Sequence, residues 1–435
     1  MSLDHSAISR NRKISMPQNL EQLLVDHAAL SRRYFLGLGV AGAAALNSLP
    51  LQTEGSESSP ALEEAIGKLE SWLTAMGDFR DVSRGKPVPH SLSDEKKAEV
   101  GMTRETWKLE LLSDPDKPAR VRNEFKKSDN TAFDFAALME LAKTKAVRFP
   151  KVMTCLNIGC PLGMGIWEGV PLREVLWLAQ PTADLRRVFY YGYHNEEPSQ
   201  MFRSSMPVGR ILEDPFDLPP VILCYKLNGQ WLSSERGGPV RVVVPEAYGF
   251  KSIKWLSHLY LSNIHGANDT YAEKNNDVDS PLKSFAATFD FPTVVKPGQP
   301  IPVTGYAQAG IASVSKVQVF IQNKAESLPS GDKYFTKAPW NDATILPPPA
   351  EWGGGLPNRT IPEGTLNFDA AGQPKTWPMR LSKVHWATLL PGLPAGKYTL
   401  RCRTIDEKSQ AQPMPRPFRK SGHAAIEQVS IDVEA

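Results

Sequence analysis

At 435 residues, 41% of them hydrophobic, the chain can bury two ordinary cores, and its length predicts two or three domains. Its 50 Lys+Arg against 47 Asp+Glu leave a formal charge of +3, and without a long basic stripe that balance argues against a nucleic-acid partner. Four cysteines, Cys155, Cys160, Cys224 and Cys402, are too few and too irregular for a disulfide framework or a zinc ribbon, and no Cys-x-x-Cys-His is present to attach a c-type haem.

Residues 1 to 30 are polar and patternless. Ser31-Arg32-Arg33-Tyr34-Phe35-Leu36 and the Gly/Ala-rich run GLGVAGAAALNSLP then have the layout of a twin-arginine signal, with a paired arginine opening an ordinary amphipathic helix as the alternative. The run is short and weakly apolar for a membrane span. Its Gly37, Gly39 and Gly42 spell G-x-G-x-x-G, but no strand precedes them, which argues against a nucleotide site. Residues 1–52 are therefore expected to be a signal region and linker, with export to the periplasm. A Glu/Ser/Pro stretch follows and runs into a short helical segment. Thr106 to Leu112 alternates as a strand does, and Asp129 or Asn130 is expected to cap a helix carrying Phe135, Leu138 and Leu141.

That helix leads into Val152–Leu172, where Cys155 follows a short apolar run and precedes Gly159, Gly163, Gly165 and Gly169. A thiolate at a strand end is a soft metal ligand, and glycines let backbone approach a bulky ligand closely. Three of the four cysteines read as small buried hydrophobes, and a zinc clasp by Cys155 with Cys160 is an alternative. Further on, Asn228-Gly229 between Val221–Leu227 and Gln230–Leu232 is a strong hairpin signal, since Asn-Gly supplies two positive φ values. Arg241 lies in a very apolar strand, where an unpaired guanidinium would cost several kcal/mol, so an anionic partner is expected, either a ligand or an internal Asp or Glu. Lys254 sits among apolar residues at the end of the next short strand. From Phe285, Pro-Gly turns separate alternating strands at Val303–Ala307, Val317–Ile321 and Tyr398–Thr404, with Arg401 and Arg403 on the opposite face of the last. That texture predicts a β-sandwich. Residues 323 to 385 form a Pro/Gly/Trp-rich insertion without a legible role.

Cys155, Trp167 and Gly169-Val170-Pro171-Leu172-Arg173 resemble the molybdenum-ligand segment of the sulfite oxidase family. A longer stretch agrees: Leu227-Asn228-Gly229, then Arg236-Gly-Gly-Pro-Val-Arg241-Val-Val-Val-Pro, then Lys254-Trp255-Leu256 is similar to that family's molybdopterin segment. The resemblance covers roughly residues 79 to 435. It implies an α+β fold, with a molybdopterin-binding oxidoreductase domain at 53–284 followed by an immunoglobulin-like dimerisation domain at 285–435, and so a possible homodimer. It also implies molybdenum held by a pterin dithiolene and by Cys155.

Carried over position by position, the resemblance implies cofactor contacts at Arg236, Arg241, Lys254, Asn157 and Arg203, the last within FRSSMPVGR, and catalytic positions at Cys155, Arg84 and Asn276. The cofactor's phosphate would suit an arginine fork and a lysine. The chain departs from sulfite-oxidising members at several places. Asn157 stands one position early in the cysteine loop, Gly159 and Cys160 replace the arginine after it, Arg236 replaces a histidine, and Asn276 occupies the place of the catalytic tyrosine. The implied activity is oxidation of a sulfur compound, sulfite or sulfane-type, free or on a sulfur-carrier protein, with electrons passing to a separate acceptor such as a cytochrome c. The alternatives are a sulfoxide reductase of the same family, or a cofactor-binding relative without turnover.

Overall fold

The computed structural model describes residues 59–156, 161–215, 218–266, 285–326, 331–332, 334–413 and 425–434. The signal-like region, Asn157, Cys160 and Asn276 lie outside the described residues. Among the described residues, no helix is long and apolar enough to cross a membrane.

Helix α1 (Pro60–Gly67) and α2 (Asp94–Glu99) precede β1 (Lys108–Ser113) and β2 (Phe133–Asp134). Helix α3 (Phe135–Lys145) is capped not at Asp129 or Asn130 but at Asp134, whose carboxylate accepts from Ala137 N at 2.8 Å. Asp129 instead closes its own turn on Thr131, because a short polar side chain satisfies a turn as readily as a helix start. Then come β3 (Val147–Thr154), β4 (Pro161–Pro171), α4 (Leu172–Leu178), β5 (Arg187–Gly192), β6 (Arg203–Pro207), α5 (Val208–Leu212), β7 (Ile222–Leu227), β8 (Gln230–Trp231), β9 (Arg241–Val243) and β10 (Leu256–Ser262). Two five-stranded sheets result: β2-β1-β10-β5-β6, and β3-β4-β7-β8 with β9 on β7. Leu109, Leu111, Val188, Tyr190, Leu259 and Leu261 of the first sheet share a buried core with Val170, Leu223 and Val242 of the second. The β7–β8 hairpin turns on Asn228 and Gly229 with φ of 51° and 76°, as Asn-Gly demands.

The remaining strands are β11 (Phe285–Asp290), β12 (Val294–Val295), β13 (Ile301–Gln308), β14 (Val314–Asn323), β15 (Asn341–Ile345), β16 (Lys383–Leu390), β17 (Gly396–Asp406) and β18 (Glu427–Val433), hydrogen-bonded in the order β11-β13-β16-β15-β14-β17-β18-β12. Strand β15 pairs with β14 at Val317 and with β16 at Ala387, joining the two halves of this sheet. Val303 and Trp386 from one half pack with Val319, Leu400 and Ile431 from the other in one apolar core. Arg401 and Arg403 are both buried on the far face, each stacked on a ring of the 323–385 insertion: Phe335 at 4.3 Å and Trp340 at 4.0 Å.

Packing crosses the expected boundary at residue 285 in both directions. Helix α1 lies on β13 and β16. The insertion sends Trp352, Leu356, Phe368, Met379 and Leu381 onto Trp72, Val152, Met164 and Ile166, and Trp72 and Trp352 meet edge to face at 5.0 Å. It also occupies the free edge of β3, where Arg148 O accepts from Leu366 N and Leu381 O from Val152 N, both at 2.8 Å. The insertion therefore buttresses the strand that ends at Cys155.

Candidate active site

Cys155 follows β3 directly and is half-buried at the margin of a cluster containing Phe79, Phe149, Met153, Trp167 and Leu227. Gly163, Gly165 and Gly169 serve the protein's own packing rather than a ligand's approach. A Cβ on Gly163 would lie 2.5 Å from the Phe79 ring, one on Gly165 2.3 Å from Leu227, and one on Gly169 2.3 Å from the Leu223 carbonyl oxygen. These contacts press β4 against its neighbours and fix the strand pair flanking the cysteine.

Beside Cys155 opens a cavity of about 290 Å³. Five of the sequence-predicted site residues line it: Cys155, Arg84, Arg236, Arg241 and Lys254. Arg203 is not among the lining residues. Its guanidinium bonds the Tyr191 hydroxyl at 3.2 Å and lies 5.7 Å from the Phe189 ring, because it projects from β6 beside β5.

Arg241 is 4% exposed and has no carboxylate partner among the described residues. It donates instead to the carbonyls of Arg236 at 2.8 Å and Ser252 at 2.6 Å, and stands 5.3 Å over the Trp167 ring. Burial, with repulsion from Arg236, pulls its pKa down to about 10. Arg236 is 3% exposed and pairs with Glu235. The Nε groups of both arginines are buried with no acceptor among the described residues. Two buried guanidinium N–H groups left unsatisfied mark a place for an anion, because each is otherwise a full desolvation cost. With a thiol on one wall, aromatic rings from Phe79, Trp167 and Trp255 around it and unsatisfied guanidinium N–H groups on another, the residues fit a flat cofactor carrying a soft metal and a phosphate.

Lys254 differs. Its ammonium donates to Asp81 Oδ1 at 3.0 Å, Ser83 Oγ at 2.6 Å and the Glu235 carbonyl at 2.6 Å. Burial, reinforced by Arg241, lowers its pKa to about 8. Burial alone would raise the pKa of Asp81, but bonds from Ser83 and the charge of Lys254 hold it near 2. Sequence reasoning also missed His194, Phe202 and Trp255, which line the same cavity. His194 is buried, and its Nδ1 donates to the Gly192 carbonyl at 3.0 Å, which leaves Nε2 as an acceptor. Its pKa is lowered by burial and by nearby Arg84. A histidine two residues past a strand carries no sequence signal of its own, whereas Asp81-Val82-Ser83 is a legible Asx-turn.

Comparison with known proteins agrees with this geometry. Residues 103–269 match the oxidoreductase molybdopterin binding domain family. Sulfite oxidase of Arabidopsis thaliana is 24% identical over 208 residues, covering 41% of this chain and 52% of that protein. The protein-methionine-sulfoxide reductase catalytic subunit MsrP of Burkholderia mallei is 29% identical over 192 residues, covering 39% of this chain and 54% of that one. The chain thus spans about half the length of these curated relatives. The crystal structure of the sulfane dehydrogenase SoxCD from Paracoccus pantotrophus superposes over 89% of this chain and 96% of that one, with a TM-score of 0.50 and 15% identity, which is a likeness of fold. Residues 103–269 thus carry an oxidoreductase molybdopterin-binding domain similar to that of sulfite oxidases, which implies a cofactor of molybdenum bound to molybdopterin.

Proposed function

We propose that this protein oxidises a small sulfur compound, sulfite or a sulfane-type sulfur, and passes the electrons to a separate acceptor such as a cytochrome c. The observation that carries the reading is the placement of Cys155 on the same cavity as the unsatisfied guanidinium N–H groups of Arg236 and Arg241. Cys155 is the metal's thiolate ligand, and Arg236 and Arg241 hold the phosphate end of the pterin by charge-assisted bonds. When bound, the molybdenum centre supplies two-electron oxygen-atom transfer, which no side chain performs.

The chain's own residues bind and orient. Arg84, over the Phe202 ring at 5.2 Å, attracts an anionic substrate to the mouth, and neutral His194 presents Nε2 as a proton acceptor. Asn157 and Asn276 complete the assignment, as a cofactor contact and as the residue in the tyrosine's place. Losing that tyrosine and the arginine of the cysteine loop favours a sulfane-type substrate over free sulfite. Export by the twin-arginine route to the periplasm suits a protein that folds around its cofactor before transport, and the β11–β18 unit serves as an immunoglobulin-like dimerisation domain.

A second reading, reduction of a sulfoxide, is favoured by the 29% identity to a methionine sulfoxide reductase subunit and by the apolar Val82, Phe202 and Phe250 of the cavity lining. Molybdenum-loaded protein assayed with ferricyanide against sulfite and thiosulfate, and with reduced methyl viologen against sulfoxides, separates the two. Turnover in the first set alone supports sulfur oxidation, turnover in the second alone replaces it, and no turnover in either refutes both.

A further inference from the structure

The stretch Phe79–Arg84 carries no strand or α-helix, yet Phe79, Arg80, Val82, Ser83 and Arg84 all line the cavity. It is a strap across the site. One backbone bond, Arg80 N to the Leu162 carbonyl at 2.8 Å, ties its first residues to β4. Beyond it, Lys86 N donates to Gln200 at 2.8 Å, and the Pro87 carbonyl accepts from Asn195 at 2.8 Å. Between these anchors the strap is held by Lys254, through Asp81 Oδ1 and Ser83 Oγ. Asp81 Oδ1 also accepts Ser83 N at 3.0 Å and Ser83 Oγ at 2.6 Å, so the turn and its contact with Lys254 form one hydrogen-bonded unit.

An ammonium has three N–H groups, and all three on Lys254 are taken, two by the strap and one by Glu235 O. Donating to a cofactor phosphate would require giving one up, whereas Arg236 and Arg241 each hold an N–H in reserve. We infer that Lys254 is a positioning residue for the strap rather than a phosphate ligand, and that the Asp81–Lys254 pair sets how tightly an anionic substrate is met by holding Arg84 over the cavity mouth. Arg84 itself is exposed and forms no ion pair among the described residues, so its position depends on where the strap is held.

The test compares Asp81→Asn, Lys254→Met and the double variant as cofactor-loaded proteins. Three quantities are measured: pterin and molybdenum content, tryptic cleavage after Arg84 located by mass spectrometry, and steady-state kinetics. A held strap opens rarely, so each single variant should be cleaved about five- to tenfold faster than the parent, with no further increase in the double variant. All three should keep the parent's cofactor content, and KM for the anionic substrate should rise about fivefold with kcat little changed. The kinetic arm rests on the reaction proposed above, whereas cleavage and cofactor content do not, so the failure of one reading is told from the failure of the other. Loss of pterin in Lys254→Met with normal pterin in Asp81→Asn would overturn the inference and return Lys254 to the phosphate. Unchanged cleavage in Asp81→Asn would overturn it as well, even if Lys254→Met fails to fold.

Discussion

The cavity's two sides are built on different principles. The β3–β4 wall, which ends at Cys155, is buried along nearly its whole length, pressed together by glycine contacts, and braced on its outer edge by the insertion. The strap from Phe79 to Arg84 is largely exposed and held by a few polar bonds. A metal ligand must not drift, since a small misplacement of a reacting group costs orders of magnitude in rate. A substrate gate must admit traffic, and low local stability suits it. The difference predicts that damage to the wall destroys ligation or folding, while damage to the strap changes affinity.

The largest expected effect comes from the wall's end. Cys155→Ser should lower activity by more than about 100-fold, beyond what removal of a ligand's supporting partner costs, while most of the pterin stays bound, because the arginines proposed to hold it lie elsewhere on the cavity. Activity and pterin content of the purified variant check this. Next comes the brace. Trp72 is fully buried between the insertion and the wall, so Trp72→Ala should destabilise the protein by about 3–5 kcal/mol, read from denaturant unfolding. Smaller again is Gly169→Ala. Its Cβ would meet the Leu223 backbone at 2.3 Å, forcing β4 from β7 at a cost of about 1–3 kcal/mol. Substitutions in the strap should leave the unfolding midpoint almost unmoved.

Stability should also depend on pH, with a sign that follows from the buried lysines. Burial lowers Lys151 to about 7, with Glu246 opposing it, and Lys254 to about 8, whereas the unfolded chain holds these protons up to about 10.5. Between those values the unfolded state binds more protons, so the stability of cofactor-free protein should rise from pH 7 toward pH 9. Above pH 9 buried Cys224, raised by burial to about 12, acts the other way, because the unfolded thiol ionises first. Melting temperatures at pH 7 and pH 9 check the sign, and the rise should shrink in Lys254→Met.

Much of this was legible in the sequence where the determinants are local. Asn228-Gly229 fixes its turn by backbone preference alone, and an arginine inside the apolar run at 240–244 announces a charge that needs company. The nature of that company was not legible: Arg241 is met by two carbonyls and an open cavity rather than by a carboxylate. The bond from Lys254 to the strap is not legible in the sequence either, because Asp81 is 173 residues away. The insertion was opaque for the same reason, since Trp352 and Leu381 acquire meaning only against Trp72 and Val152. Asp129 and Asp134 carry the same chemical signal for a helix cap, and only the fold shows that Asp134 meets the helix.

On the proposed assignment, Cys155 gives its sulfur to the metal at the cavity whose other wall anchors the cofactor's anionic end. X-ray absorption at the molybdenum edge, on the loaded parent and on Cys155→Ser and Cys160→Ser, tests this directly. One fewer sulfur neighbour is expected in Cys155→Ser and an unchanged shell in Cys160→Ser. An unchanged shell in Cys155→Ser, or the loss appearing in Cys160→Ser instead, would contradict it.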